Sequence, residues 1–314
     1  YLYMKILVVY NIPKAPFTNL PNDWLITFPQ EGKECFEKEE IIALLPEYDV
    51  LLSIFSKTVD QEMIDAGKKL KIISNFGVGF NNIDIAYARS KNISVCNTPA
   101  SVANPTAEHA MALMLCCARR IGELNIKIRL QKESLWGTMR NLGHTLENKT
   151  LGIIGMGRIG KNLAKKAEAF GMKIIYTTKE SEVPGYKKVD LDTLLKHSDF
   201  ISIHVPLTQD TTHLISKREF GLMKSNAILI NTARGLVVDE KALAIALETG
   251  EIAGAGLDVF ENEPSVYSKL YGLSNVVLTP HVGNGTVEAR EATGGEALSN
   301  ILHFFTGNPS NVVN

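Results

Sequence analysis

Short β-branched runs alternate with amphipathic helical segments along most of this 314-residue chain, and this alternation limits the possible folds more than any other feature. The runs include KILVVY, YDVLLSIF, TLGIIG and AILINTA, and intervening segments such as RIGKNLAKKAEAFG carry apolar residues at spacings of three and four. Nearly continuous apolar strands separated by such helices are typical of parallel sheets covered on both faces. The sequence therefore predicts an α/β protein with doubly wound parallel sheets.

The number of strands predicts two such sheets. One strand–helix pattern fills roughly the first hundred residues, and a second begins at Thr150. Between them, residues 110–118 are apolar on every side, which predicts a helix buried against more than one neighbour. The sequence after His281 is too short for a further domain, so we expect the last helix to pack back onto the first sheet domain.

Composition argues against several classes of partner. The formal net charge is -1, and the mixed charges form no basic stripe for nucleic acid or an anionic membrane surface. No apolar run reaches the ~20 residues needed to cross a bilayer, and no secretory signal pattern is present. The four cysteines lack metal-ligand spacing, which predicts reduced thiols and no metal site. We expect a cytoplasmic protein that acts on a small molecule.

The stretch LGIIGMGRIG contains three glycines, Gly155, Gly157 and Gly160, at the spacing G-x-G-x-x-G. The spacing alone is weak evidence, but here it follows an apolar strand and opens a helix. In that setting the first glycine permits a tight turn, the second lets the backbone approach a pyrophosphate, and the third lets helix and strand pack closely. The motif therefore predicts a dinucleotide site, with a non-binding glycine-rich turn as the alternative.

The next strand, GMKIIYTTKE, bears on which dinucleotide binds. An NAD site usually has a carboxylate about 20 residues after the glycine motif, where it accepts hydrogen bonds from ribose hydroxyls. This strand instead ends in Thr177 and Thr178, followed by Lys179. Such a strand end suits the 2′-phosphate of NADP better, because carboxylate repulsion is absent and a cation is available. We expect NAD or NADP with a preference for NADP; the alternative is an exposed lysine beside an NAD site.

Three polar side chains follow later strands. Arg234 stands in NTARG, Glu263 closes GLDVFENEP, and His281 lies in LTPHVGNG. Because ligands bind at the carboxyl ends of the strands in open α/β sheets, these residues can converge. Arginine can bind the carboxylate of a 2-keto acid, histidine can deliver a proton, and glutamate can hold the imidazole. Taken singly, each residue is also compatible with a solvated turn.

Several motifs in one order carry a resemblance to a known family, and they cover most of the chain: NFGVGFNNID, GIIGMGRIG, VPLTQDTTHLI, LMKSNAILINTARGLVVDEKAL, GLDVFENEP and TPHVG. Together they resemble the D-isomer-specific 2-hydroxyacid dehydrogenases, which include lactate, glycerate, glyoxylate/hydroxypyruvate and phosphoglycerate dehydrogenases. The resemblance implies that Arg234, Glu263 and His281 are the catalytic arginine, glutamate and histidine.

The resemblance also implies further contacts. Arg158 and Ile159 would lie along the pyrophosphate, and Asp258 would bind the nicotinamide carboxamide. The backbone amides of Val78 and Gly79 would receive the substrate carboxylate. The remaining contacts on the nicotinamide side would be Thr106, Thr232, Ala233 and Gly283.

The architecture implied by the family is discontinuous. Residues 1–98 and 284–314 would form a flavodoxin-like substrate domain, and residues 99–283 an inserted Rossmann dinucleotide domain. The expected assembly is a homodimer built largely through the dinucleotide domain.

Two departures from the family pattern bear on specificity. The strand end YTTK is similar to that of NADP-using glyoxylate/hydroxypyruvate reductases. Phe55 stands where members that act on phosphorylated substrates tend to carry arginine, so we expect a small or apolar 2-keto acid. Lys57 lies nearby and could still reach a phosphate, so a phosphoglycerate dehydrogenase-like enzyme stays open. The other alternative is an NAD(H)-sensing binding protein similar to the transcriptional corepressors of this fold.

Overall fold

A computed structural model describes residues 3–131 and 136–314 of the chain. The chain divides into two compact units. Unit 1 comprises Tyr1–Val102 and Gly285–Asn314, and unit 2 comprises Ala103–Asn284. Unit 2 is therefore an insertion within the sequence of unit 1.

Unit 1 is an α/β unit with five parallel strands among its described residues. The strands are β1 (Met4–Val8), β2 (Trp24–Thr27), β3 (Val50–Ile54), β4 (Ile72–Phe76) and β5 (Ser94–Cys96), and the helices are α1 (Lys38–Leu44), α2 (Gln61–Ala66), α3 (Ile85–Ser90) and α10 (Val287–Phe305). The strand order is β2-β1-β3-β4-β5. This is the flavodoxin-like order, which confirms the fold expected for the first part of the chain.

The core of unit 1 forms because its central strands are largely apolar and are covered on both faces. Every residue of β3 and β4 is buried, as near-continuous apolar strands in a parallel sheet require. Helix α10 packs against β4 and against the 3-10 turn Ala15–Phe17, where Gly294 lies beside Pro16. The prediction that the last helix returns to the first sheet domain is confirmed.

Unit 2 contains a seven-stranded parallel sheet within the described part of the chain. Its strands are β6 (Thr150–Ile154), β7 (Lys173–Thr177), β8 (Lys187–Lys188), β9 (Phe200–Ile203), β10 (Ile228–Asn231), β11 (Gly254–Leu257) and β12 (Val276–Leu278). Its helices are α4 (Ala103–Ala118), α5 (Ile121–Ile126), α6 (Arg158–Ala169), α7 (Leu191–His197), α8 (Lys217–Phe220) and α9 (Glu240–Glu248), and a π-helical segment covers Lys127–Gln131.

The strand order in unit 2 is β12-β11-β10-β9-β6-β7-β8. The order reverses at β6, which has β7 on one side and β9 on the other, as in a Rossmann fold. The switch point at the carboxyl ends of β6 and β9 is where such sheets bind ligands. The predicted fold class, a Rossmann unit inserted into a flavodoxin-like unit, is confirmed.

Helix α4 packs against α6 and the strands β10, β11 and β12 of unit 2. Its buried side chains include Ala110, Met114 and Ala118. The expectation that residues 110–118 pack against more than one neighbour is confirmed, but Ala112 is exposed. No helix among the described residues is long and apolar enough to span a membrane.

Candidate active site

The glycine motif lies at the switch point of unit 2. Gly155 follows β6 with a φ of +97°, and a Cβ there would stand 2.7 Å from the backbone carbonyl of His204. A Cβ at Gly160 would stand 2.4 Å from the carbonyl oxygen of Gly155. Backbone conformation and close packing therefore require glycine at both positions. A Cβ at Gly157 would meet nothing within 4 Å, so open space lies before the N-terminus of α6.

Two buried polar atoms beside this motif have no hydrogen-bond partner among residues 3–131 and 136–314: His204 Nδ1 and Thr232 Oγ1. His204 directly follows β9 and Thr232 directly follows β10, and the last residues of these strands are paired. Burial lowers the pKa of His204 to about 4, so its ring is neutral at pH 7. Buried polar atoms without partners are costly, which marks this edge of the sheet as a place for a polar ligand.

The end of β7 carries the three residues singled out for the adenosine ribose. The carbonyl of Thr177 accepts a hydrogen bond from the Gly155 amide, and Thr178 Oγ1 accepts one from the Glu180 amide. Lys179 Nζ lies 2.6 Å from Asp210 Oδ2, and both side chains are exposed. Because Asp210 lies in the 3-10 turn after β9, it brings a carboxylate to the end of β7 that the β7 sequence itself lacks.

His281 and Glu263 form a direct hydrogen-bonded pair in unit 2, with 2.7 Å between Nδ1 and Oε2. Glu263 Oε1 accepts a hydrogen bond from the Phe260 amide. Burial alone would raise the pKa of Glu263, but the hydrogen bond and charge of His281 hold it below its usual range. An ionised carboxylate only accepts hydrogen bonds, so Nδ1 of the imidazole donates to Glu263.

Arg234 follows β10 on a turn held by Asn231. The Asn231 side chain donates to the Arg234 carbonyl and accepts from the Ala233 amide, both at 3.0 Å. Burial lowers the pKa of the Arg234 guanidinium, while the charge of Glu263 acts in the opposite direction. A Cβ on the next residue, Gly235, would fall 1.8 Å from the backbone of Phe260. The turns after β10 and β11 are therefore in contact, and the charge of Glu263 acts on the half-buried guanidinium of Arg234.

The turn that carries His281 is built around Asp258, whose side chain is 1% exposed. Asp258 Oδ1 accepts hydrogen bonds from the amide of Val282 and the hydroxyl of Thr279, and Oδ2 accepts one from the amide of Gly283. A Cβ at Gly283 would stand 3.0 Å from Oδ2 and 3.6 Å from Thr106 Cγ2. The structure thus brings three predicted site residues, Thr106, Asp258 and Gly283, together in unit 2.

The predicted substrate loop lies in unit 1, after β4. The carbonyl of Val78 accepts a hydrogen bond from Asn97 Nδ2, and the carbonyl of Gly79 accepts one from Asn75 Nδ2, both at 2.7 Å. These side-chain amides fix the orientation of the two peptide groups. Phe55 follows β3 and packs against the apolar core of unit 1.

Several polar residues of these sites were not singled out in the sequence. They are His204, Asp210, Asn75, Asn97, Thr279 and His109, which lies on α4 beside Asp258. One signal for His109 was available, since it stands three residues after Thr106 on the same face of the helix. Within the described ranges, no cluster of three or more His, Cys, Asp or Glu side chains could hold a metal ion.

Comparison with known proteins decides the family. Residues 111–283 match the sequence profile described as "D-isomer specific 2-hydroxyacid dehydrogenase, NAD binding domain". The chain belongs to the D-isomer specific 2-hydroxyacid dehydrogenase family. It is 49% identical over 279 residues to a glyoxylate reductase from Thermococcus litoralis, covering 85% of this chain and 84% of the relative.

Solved structures agree with this family. A glyoxylate reductase from Paecilomyes thermophila has a TM-score of 0.89 at 33% identity, covering 100% of this chain and 99% of that one. An NADPH-dependent glyoxylate/hydroxypyruvate reductase from Sinorhizobium meliloti, in complex with NADP and malonate, has a TM-score of 0.85 at 30% identity. That comparison covers 99% of this chain and 97% of that one. The resemblance in the sequence is confirmed, and the protein is an NAD(P)-dependent oxidoreductase.

Proposed function

We propose that the protein reduces a small 2-keto acid, such as glyoxylate, hydroxypyruvate, pyruvate or a branched-chain analogue, to the D-2-hydroxy acid. In this proposal His281 is the general acid, Glu263 orients it, and Arg234 binds the substrate carboxylate. The observation that carries it is the 2.7 Å pair of His281 and Glu263 with the half-buried guanidinium of Arg234 nearby. The glyoxylate reductase relatives support a substrate of this size.

The proton path follows from the chain's own residues. Nδ1 of His281 donates to Glu263, so a proton on Nε2 is the one available to the carbonyl oxygen as it becomes a hydroxyl. The ionised Glu263 stabilises the positive imidazolium before transfer. The guanidinium of Arg234 suits a carboxylate because its donors form a planar fork, and it also polarises the adjacent carbonyl. When bound, the reduced nicotinamide supplies the hydride.

The cofactor fits the carboxyl edge of the unit 2 sheet. There is open space beside Gly157, and the buried atoms His204 Nδ1 and Thr232 Oγ1 have no partner among the described residues. Both observations favour a polar ligand there. We place the pyrophosphate at Gly155, Gly157 and Gly160 with Arg158 and Ile159, where the amides of α6 face it. The nicotinamide side would meet Thr106, Thr232, Ala233, Asp258 and Gly283. On this assignment residues 99–283 form the dinucleotide domain.

We propose a preference for NADP over NAD, with Thr177, Thr178 and Lys179 at the 2′-phosphate. Asp210 places a carboxylate beside Lys179, contrary to the sequence argument, so the proposal requires this exposed pair to open; a solvated pair is worth only about 0–1 kcal/mol. The NADPH-dependent reductase among the similar structures supports the preference. Replacing Lys179 by Ala should raise the KM for NADPH about tenfold and leave that for NADH unchanged. Lys187→Ala on β8 is the matched control. Better turnover with NADH in the wild-type protein would contradict the preference.

Residues 1–98 and 284–314, nearly the whole of unit 1, are proposed as the substrate domain. The amides of Val78 and Gly79 would receive the substrate carboxylate. The Val78 amide shares its peptide group with the Gly77 carbonyl, which accepts from Asn75 at 3.4 Å, and the Gly79 amide shares its peptide group with the Val78 carbonyl, which accepts from Asn97 at 2.7 Å. Phe55 offers a phenyl ring, which cannot pair with a phosphate, so unphosphorylated acids are favoured over a phosphoglycerate dehydrogenase-like substrate.

A substrate panel tests the function. Glyoxylate, hydroxypyruvate, pyruvate, a branched-chain 2-keto acid and 3-phosphohydroxypyruvate would be assayed with NADH and with NADPH. His281→Gln should lower kcat by about 10²- to 10⁴-fold while cofactor affinity is kept, with His197→Gln as the control. Binding of cofactor without turnover of any acid would favour the corepressor-like sensor, and highest activity on the phosphorylated acid would overturn the argument from Phe55.

We also propose a cytoplasmic homodimer. The four cysteines are free, as expected in a reducing compartment. The large apolar side chains of residues 121–131 and 136–142 in unit 2 are unusually exposed, which favours association through the dinucleotide domain.

A further inference from the structure

The loop that carries His281 is tied to helix α4 by a chain of side-chain hydrogen bonds. His109 Nε2 lies 2.9 Å from Thr279 Oγ1 and 3.3 Å from Asp258 Oδ1. Thr279 Oγ1 lies 2.7 Å from the same carboxylate oxygen. We propose that His109 and Thr279 are positioning residues that hold His281 in place through Asp258. The inference rests on the proposed role of His281 in proton transfer.

The donor and acceptor groups of these three side chains determine where the protons lie. The carboxylate of Asp258 only accepts hydrogen bonds, so the single hydroxyl proton of Thr279 goes to Asp258 at 2.7 Å. The Thr279 oxygen then accepts, which makes His109 Nε2 the donor to it. His109 on α4 therefore donates to the Thr279 hydroxyl, and that hydroxyl donates to the Asp258 carboxylate. No second arrangement satisfies both short contacts with an ionised Asp258.

Asp258 also binds the backbone of the turn that carries His281. Its carboxylate accepts from the amides of Val282 at 2.8 Å and Gly283 at 2.7 Å, the two residues that follow His281. Its backbone carbonyl accepts from the His281 amide at 2.8 Å. His281 has a φ of +53°, a conformation that non-glycine residues hold only when their surroundings enforce it. Asp258 thus binds the amides of three successive residues of this turn, while the His281 amide also lies 3.1 Å from the Thr279 carbonyl and its Nδ1 contacts Glu263.

The charge on Asp258 depends on its donors. Burial alone would raise the pKa of this carboxyl, but hydrogen bonds from His109, the Val282 amide and Thr279 hold it below its usual range. Removing the His109 or Thr279 donor leaves a buried acceptor short of a partner. The turn after β12 then loses its fixed conformation, and His281 moves relative to the substrate oxygen. A misplaced catalytic group lowers kcat more than it changes KM.

Two pairs of variants test the proposal. His109→Leu and Thr279→Val remove one donor each, whereas His109→Gln keeps an N–H near the position of Nε2 and Thr279→Ser keeps the hydroxyl. We expect the first pair to lower kcat roughly 10- to 100-fold with the KM for the 2-keto acid nearly unchanged. The solvent deuterium isotope effect on kcat should increase, because proton transfer from a displaced imidazole becomes slower. His109→Gln and Thr279→Ser should recover most of the rate.

The controls separate this inference from the proposed function. His197→Leu on α7 changes an exposed histidine and should behave as wild type. If the wild-type protein reduces no 2-keto acid, the proposed function fails. If it does, the inference alone is overturned by an unchanged kcat in His109→Leu and Thr279→Val, by an unchanged isotope effect, or by equal losses in the leucine and glutamine variants.

Discussion

Glu263 makes two hydrogen bonds, and they tie the turn after β11 to the imidazole of His281. Replacing Glu263 by Gln keeps the size of the side chain but removes the charge that stabilises an imidazolium. We expect kcat to fall about 10- to 100-fold with cofactor affinity unchanged. Steady-state kinetics and cofactor titration of the two proteins would measure this, with Glu248→Gln at the exposed end of α9 as the control. An equal kcat in the Glu263 variant would remove Glu263 from the mechanism.

His204 predicts how stability depends on pH. Its pKa is lowered from 6.5 to about 4 by burial, so the unfolded chain binds a proton at a higher pH than the folded one. The neutral ring is compatible with the fold above pH 6.5, and stability is lost as pH falls from there toward 4. We expect this residue to lower the free energy of unfolding by about 1–3 kcal/mol between pH 7 and 4.5.

Urea unfolding at several pH values measures that loss. His204→Gln cannot gain a proton, so its stability should decline less over the same interval. His197→Gln, on an exposed surface, should keep the wild-type slope. Identical slopes in all three proteins would show that His204 is not buried as a neutral ring.

At the level of single residues, the sequence predicted the side chains that stand in motifs. Arg234, Glu263 and His281 were singled out because each follows a strand and matches a family pattern. The residues that hold them in place were missed, because their partners are distant in sequence. His109 and Thr279, for example, are 170 positions apart. Only the folded sheet brings such pairs together.

Gly155 and Gly157, in the turn between β6 and α6, should respond differently to replacement by alanine. Gly155→Ala forces a Cβ into a left-handed backbone and against the carbonyl of His204, so we expect a loss of about 1–3 kcal/mol of stability and weaker cofactor binding. Gly157→Ala meets nothing within 4 Å and has an ordinary φ of -76°.

The Gly157 variant should therefore keep its melting temperature and lose cofactor affinity, since its methyl group would occupy the proposed phosphate cradle. Thermal unfolding and cofactor titration of both variants separate the two effects. Unchanged affinity in Gly157→Ala would place the pyrophosphate elsewhere.

The sequence predicted the long apolar strands and missed short ones at sheet edges. β2, β5 and β8 are four, three and two residues long, and each lies at the edge of its sheet. An edge strand pairs on one side only, so it needs neither the length nor the apolar run of a central strand. β8 consists of two lysines, which no hydrophobic pattern would mark as a strand.

For the whole molecule, the exposed apolar surface of unit 2 predicts an assembly. The residues that share it are 54–89% exposed: Ile121, Ile126, Ile128, Leu130, Trp136, Met139 and Leu142. We expect a dimer in solution, because a second copy would bury this surface around one two-fold axis. Light scattering coupled to size exclusion would measure the mass.

Charge on the most exposed side chains of this set should separate the subunits. Trp136→Glu with Met139→Glu should give a monomer, whereas Ile245→Glu on α9, also 54% exposed, should stay a dimer. A wild-type monomer, or a double variant that remains dimeric, would rule out this interface.

The insertion of unit 2 into unit 1 sets an order of events during synthesis. Helix α10 covers β4, where Ser74 donates a hydrogen bond to the carbonyl of Ala297. The ribosome makes β4 first and all of residues 103–284 before α10. At ordinary translation rates this interval lasts roughly 10–40 s. During that time a newly made sheet has one apolar face without its own helix, and a chaperone has its clearest opportunity to bind.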